Sequence, residues 1–294
     1  MKNKKTALLL AVCLSLGTLA GCSTEEINNY RQAELDLADG NFQTALEEYE
    51  TAVSDGIKVA ESYRGAGVAN VRLGNYEAAI EDFTQALNCE KVGKALKKDI
   101  LSYRAAAYLK TKSYEEALTD CQALAEGYDM DADLYFLSGE VALAMDSYEE
   151  AASYFEQAYG ENATYDMAIR IYAVYLEQDM EADGTRYLEA ALSGEAKNAQ
   201  DHCDRGRVYY YMDDYDNASE ELKQAIDSGN TEAMALLGMV YMEQKDTANA
   251  RSMFQQYVSQ AEMPKTCRVF CLMKWLCMRR NWTSRQPFRK RKNI

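Results

Sequence analysis

The sequence predicts an all-α fold, an α-α superhelix of about seven helix-turn-helix repeats, and three observations carry that expectation. Proline, the strongest helix breaker, occurs only twice, both times beyond residue 263. The chain is rich in Ala, Leu, Glu and Tyr, with 48% apolar and 27% charged residues, a mixture that favours helix. A turn-and-alanine string recurs, as Gly40-Asn41-Phe42-Gln43-Thr44-Ala45, Gly74-Asn75-Tyr76-Glu77-Ala78-Ala79, Ser113-Tyr114-Glu115-Glu116-Ala117 and Ser147-Tyr148-Glu149-Glu150-Ala151. It returns as Asp214-Tyr215-Asp216-Asn217-Ala218 and Asp246-Thr247-Ala248-Asn249-Ala250. The closing alanines are separated by 34, 38, 34, 67 and 32 residues, and the gap of 67 holds a degenerate copy in which Gly184 takes the alanine's place.

The chain begins with an export pattern. Lys2, Lys4 and Lys5 precede an apolar stretch from Thr6 to Ala20, fifteen residues that fall short of the roughly 20 a spanning helix needs but suit a cleavable signal. Leu19-Ala20-Gly21-Cys22 then resembles the lipobox of bacterial lipoproteins. That resemblance implies removal of residues 1–21, a diacylglycerol on Cys22 and a short tether over 22–25. The mature chain is then expected on the outer face of a bacterial membrane, with Ser23 after the cysteine resembling a signal for outer-membrane sorting where such a membrane exists. Two acyl chains hold where one does not, each buried methylene adding about 0.8 kcal/mol.

The repeats follow, over about 26–59, 60–93, 98–131, 132–164, 165–198, 199–230 and 231–264. A small residue recurs in six of the seven first helices, at Ala33, Gly67, Ala105, Gly139, Gly206 and Gly238. The second helix carries alanine, aromatic, alanine, as in Ala45/Tyr49/Ala52, Ala79/Phe83/Ala86 and Ala151/Phe155/Ala158. Small residues let two helices approach, and the aromatic fills the space between repeats. This pattern resembles the tetratricopeptide repeat over about four fifths of the chain. It departs from that family in lacking boundary prolines, in Cys121 and Leu222 at the aromatic place, and in a weak fifth copy.

The resemblance implies binding in a concave groove lined by first helices. The family's groove positions fall on Arg64, Val68, Val71 and Arg72, then Phe136, Glu140 and Leu143, then Arg207, Tyr210 and Tyr211, then Met239, Met242 and Glu243. Aromatic, Arg and Met side chains are common anchors of such surfaces. The paired Lys and Asn that clamp a terminal carboxylate in the family's chaperone-binding members are missing. Charge reversal at Arg207 with Ala at Tyr210 and Tyr211 is expected to abolish binding and leave stability almost unchanged.

Residues 22–263 carry 19 basic and all 47 acidic side chains, a net charge of −28, so nucleic acid is disfavoured as a partner. The only histidine, His202, sits where the repeat usually packs an aromatic, which reads as core rather than catalyst. No nucleophile elbow, phosphate loop or metal motif occurs, and Cys267, Cys271 and Cys277 do not match zinc spacing. The expectation is a non-enzyme without cofactors: a membrane-anchored adaptor for a protein or peptide, or alternatively an accessory regulator of an envelope enzyme such as a peptidoglycan synthase or hydrolase.

Residues 265–294 break the pattern, with basic side chains, both tryptophans and no acid. Read one frame over under favourable codon choices, Met273 to Pro287 restores spacings of the repeat, a tyrosine nine residues before an alanine as in Tyr108 to Ala117. Two readings stand: a product of a shifted frame, or a genuine basic tail that lies on anionic lipid or caps the solenoid.

Overall fold

A computed structural model describes residues 29–260, which hold fourteen α-helices and no strand. Two compact units divide between Asn162 and Ala163. The first contains α1 (residues 29–39), α2 (Phe42–Ser54), α3 (Val59–Leu73), α4 (Tyr76–Asn88), α5 (Lys94–Thr111), α6 (Tyr114–Gly127), α7 (Ala132–Ala144) and α8 (Tyr148–Glu161). The second contains α9 (Tyr165–Glu177), α10 (Glu181–Leu192), α11 (Ala199–Tyr211), α12 (Tyr215–Asp227), α13 (Glu232–Glu243) and α14 (Thr247–Gln260). Odd-numbered helices are the first of each repeat and even-numbered helices the second.

All seven turns inside the repeats share one geometry. One or two residues past the first helix the chain is left-handed, at Gly40, Gly74, Lys112, Asp146, Asp179, Asp213 and Lys245, with φ between 58° and 84°. The next amide reaches back across the helix end, as in Asn75 N to Asn70 O (2.9 Å) and Ser113 N to Tyr108 O (2.9 Å). This capping arrangement satisfies carbonyls that a helix terminus otherwise leaves open. Glycine takes the conformation without a Cβ penalty, yet only two turns use it. In two others the aspartate accepts a hydrogen bond from a tyrosine two residues on, Tyr148 Oη to Asp146 Oδ1 (2.8 Å) and Tyr215 Oη to Asp213 Oδ1 (2.7 Å).

The alanines that end the recurring string are buried at 45, 79, 117, 151, 218 and 250, where they let the helices of a pair close up. The partner glycines are as tightly placed. A Cβ on Gly67 would stand 2.5 Å from Phe83, and one on Gly139 would stand 2.6 Å from Phe155. Both phenylalanines are fully buried. Neighbouring repeats share these cores: Phe83 and Ala86 pack with Ile100 of the next repeat, and Ala117 and Cys121 with Leu137 and Val141.

Two details differ from the sequence reading. The four residues left between the second and third repeats form the first turn of α5, because Gly93 starts the helix and Leu96 packs against the Phe83 core. The weak fifth repeat exchanges sizes between its helices. Tyr172 stands where the other first helices carry Gly or Ala, and Gly184 stands where the other second helices carry Ala. A Cβ on Gly184 would come 2.9 Å from the Tyr172 backbone, so the smaller residue on one helix makes room for the larger one opposite.

Candidate protein-binding surface

First helices of adjacent repeats touch each other within each unit, α3 with α5 and α5 with α7 in the first, α9 with α11 and α11 with α13 in the second. From α2 onward, successive second helices do not approach to that degree. The first helices therefore lie on the tighter side of each stack. The same closeness buries part of the surface that the resemblance assigned to binding.

Phe136, Tyr210 and Met239 are corrected from groove to core. Phe136 is 6% exposed and its ring lies 5.8 Å from that of Phe155. Tyr210 is 6% and Met239 5% exposed, both inside the core formed by α11, α12 and α13. Packing against the second helix of the same repeat and against neighbouring repeats takes these positions out of contact with solvent.

Arg64 and Arg207 are held in place rather than presented freely. Arg64 Nε lies 2.5 Å from Asp99 Oδ2 of the next repeat, and its guanidinium sits 5.3 Å from the centre of the Tyr103 ring. Burial works against the charge, but the bond to Asp99 and its charge, with Tyr103 and Tyr49 adding, together raise the arginine pKa. Arg207 Nη2 reaches Asp166 of α9 at 3.1 Å, with Asp204 at 3.8 Å. Tyr211 is half-buried, its ring edge-on to Tyr172 and Tyr210, and Glu140 is half-buried on α7. Arg72 and Met242 are exposed, Met242 by 47%. Val68 and Leu143 are buried as well. What remains on the first-helix side is thus Arg64, Val71, Arg72 and Glu140 in the first unit and Arg207, Tyr211, Met242 and Glu243 in the second.

Sequence reasoning missed a pair of internal clamps. Arg104 of α5 meets buried Asp120 of α6 through two bonds, Nε to Oδ2 (2.8 Å) and Nη2 to Oδ1 (2.7 Å), while Nη1 donates to Thr84 of the preceding repeat (3.0 Å). Arg205 of α11 binds Glu221 of α12 at 2.7 Å and donates to the carbonyls of Leu192 (3.1 Å) and Gly194 (2.5 Å), which close α10. In each, burial disfavours the cation and the carboxylate more than restores it. Each arginine ties its own two helices to the previous repeat, and Arg205 also supplies a cation to a helix C-terminus. The signal was present: both pairs are separated by 16 residues and occupy the same two places in their repeats.

His202 is also corrected. It is half-buried, and its Nδ1 lies 2.7 Å from Glu221 Oε2, so it belongs to the Arg205 clamp instead of an apolar core. Cys121 and Cys203 are buried free thiols whose pKa burial pushes up to about 11, which suppresses thiolate chemistry. Among the described residues no group of acidic, Cys or His side chains could hold a metal ion. Cys22 and residues 265–294 lie outside the described residues.

Paired helices stacked by a small residue against an aromatic define a helical repeat protein of the interaction type. The family profile of the tetratricopeptide repeat matches residues 30–95, 104–166 and 203–263, well over half the chain, and the chain belongs to that family. No curated protein sequence matches it. Among solved structures it is similar to a tetratricopeptide repeat protein from Parabacteroides merdae, at 16% identity over 84% of this chain and 97% of that one, with a TM-score of 0.48. It is also similar to MamA from Desulfovibrio magneticus, at 19% identity over 57% and 93% with a TM-score of 0.47. PilF of Pseudomonas aeruginosa is a third, at 18% identity over 69% and 91% with a TM-score of 0.46.

Proposed function

We propose that the chain is a lipid-anchored, non-catalytic adaptor that holds a protein partner at the outer face of a bacterial membrane. The repeat family supports protein binding, and the lipobox ending in Cys22 supports the anchor. The observation that carries the binding reading is the first-helix side of the second unit, where Arg207, half-buried Tyr211 and exposed Met242 remain on a rigid scaffold after Tyr210 and Met239 are assigned to the core. Arginine, tyrosine and methionine on such a scaffold are the side chains that anchor peptide contacts.

Two experiments test the two parts separately. Cys22→Ala should leave an unprocessed precursor that takes up no fatty acid, and a variant that still labels refutes the anchor. Arg72→Glu combined with Met242→Glu alters only exposed side chains, so the melting curve should stay almost unchanged. Partners identified by crosslinking in cells should be lost from that variant, and undiminished capture places the contact elsewhere.

A further inference from the structure

The seam between the sixth and seventh repeats contains a hollow of about 460 Å³ that no feature of the first-helix side explains. Its walls are one face of α12, with Asp216, Ser219, Glu220, Lys223 and Asp227 at helical spacing, and Tyr241 of α13 with Gln244 just past its end. At the place of Ser219, the first three repeats carry Leu46, Ile80 and Leu118. Exchanging a large apolar side chain for a hydroxymethyl group leaves the seam unfilled.

Ser219 is itself the second observation. It is 7% exposed, and its hydroxyl is buried without a hydrogen-bond partner, although it lines the hollow. A buried hydroxyl without a partner carries a desolvation penalty that an incoming polar group relieves. Around it stand three carboxylates and one lysine, a net of two negative charges, with a tyrosine ring and the Gln244 amide, which donates to Asp216 Oδ1 at 3.3 Å. Carboxylates beside an aromatic ring suit a guanidinium, which donates in a plane and stacks on π-faces. A single metal ion does not fit, since no described cluster could ligate one. Asp216 and Asp227 are separated by eleven residues of helix, about 16 Å at 1.5 Å per residue, so the matching ligand carries several cations along its length.

The chain has such a segment. Residues 279–294 hold Arg279, Arg280, Arg285, Arg289, Lys290, Arg291 and Lys292 and no acid. Arg285 and Lys290, five residues apart, span about 16 Å when extended. We propose that residues 279–294 dock into the α12–α13 seam of their own chain, with an arginine guanidinium over Tyr241 between Asp216 and Glu220 and a second cation near Asp227. The covalent link raises the local concentration of the segment, so modest contacts hold it. This inference stands apart from the adaptor reading, because the seam residues are not the Arg207, Tyr211 and Met242 surface.

The test uses the full chain with the photocrosslinker p-benzoylphenylalanine at exposed position 244. Irradiation followed by mass spectrometry should join that position to a peptide within 279–294, and a mixture of isotopically heavy and light chains should show the link within one chain. Asp216→Lys, Glu220→Lys and Asp227→Lys together, all at exposed positions, should lower the yield roughly tenfold. Ser219→Leu, which refills the seam, should lower it as well. Raising salt to about 1 M, where screening acts over about 3 Å, checks the charge dependence without any substitution. Crosslinks to another region only, links only between heavy and light chains, or a yield indifferent to both salt and charge reversal would overturn the proposal.

Discussion

The second and third repeats place an acid at the same point of the second helix, and only the third gives it a cation. Asp120 is buried and takes two bonds from Arg104. Asp82 has alanine, Ala66, where the third repeat has arginine, and its named partner is the Asn70 amide at 2.8 Å. Burial, with Glu50 and Glu81 nearby, pushes the Asp82 pKa up to about 6 despite the Asn70 bond. The first and sixth repeats divide the same way. Glu221 is bound by Arg205, while Glu48 has Gln32 across the pair, and burial and then the charge of Asp36 raise the Glu48 pKa. One site in the repeat therefore does two jobs: with arginine it fastens a repeat to the one before it, and without arginine it is a carboxyl whose pKa burial raises.

Breaking the paired version should have the largest effect. Arg104→Met leaves Asp120 buried and unpaired and frees Thr84, so unfolding in denaturant should show a loss of about 3 kcal/mol. Adding Asp120→Asn to that variant should recover part of the loss, since the amide removes the isolated charge. A loss below about 0.5 kcal/mol for Arg104→Met would mean the clamp contributes no more than an exposed ion pair does.

The size exchange in the fifth repeat comes next. Gly184→Ala sets a methyl group against the Tyr172 backbone at 2.9 Å, which cannot swing away as a side-chain tip can, and should cost about 1–3 kcal/mol. Alanine is native at the same place in the other six repeats, so Gly184→Ala should cost less in a Tyr172→Ala background than in the native chain, although Tyr172→Ala by itself empties a buried site. A Gly184→Ala cost of equal size in the native and Tyr172→Ala backgrounds would show that the two positions are not coupled.

The unpaired acid should act in the opposite direction. A carboxyl whose folded pKa is about 6, against about 3.9 unfolded, binds its proton more tightly in the native state, so native stability falls as pH rises from about 4 through 6. Asp82→Asn removes that dependence and can keep the bond to Asn70. With solvent screening allowed for, it should stabilise the protein by about 1 kcal/mol at pH 7 and by almost nothing below pH 4. A gain of equal size at both pH values would assign the effect to packing instead.

These contrasts also mark what the sequence could carry. Ala79, Gly67 and Phe83 were legible because the close approach of two helices demands small residues at a fixed period, and the burial of Ala79 and Phe83 follows from it. The groove was only partly legible. Periodicity tells which face of a first helix looks toward its neighbours, but not how fully they cover it, and that coverage decides that Phe136, Tyr210 and Met239 are core. The triple variant at Arg207, Tyr210 and Tyr211 is consequently not neutral, since Tyr210→Ala alone empties a packed site and should cost about 3 kcal/mol. The fifth repeat looked weak because its compensation spans two helices: Gly184 was visible at the alanine's place, but its pairing with Tyr172 on the opposite helix was not. The clamps were readable from the shared spacing of Arg104 to Asp120 and Arg205 to Glu221, but only if charged residues are compared across repeats as the alanines were.

The smallest predicted effect lies in the turns, where seven identical conformations are filled by three residue types. Lys112 and Lys245 adopt φ of 62°, a region that disfavours a side chain, with no bond like that between Tyr148 and Asp146 to offset it among their described contacts. Lys112→Gly matches Gly40 and Gly74 and relieves the Cβ clash, but glycine also gains freedom in the unfolded chain, so the net gain should be about 0.5 kcal/mol. Asp146→Gly relieves the same clash but loses the 2.8 Å bond from the Tyr148 hydroxyl, and its gain should be smaller or absent. Melting curves of the two variants, with Gly74→Lys as the reverse exchange, give the comparison. If Asp146→Gly stabilises as much as Lys112→Gly, the tyrosine bond contributes nothing, and aspartate at that turn is only one of several side chains that tolerate the conformation.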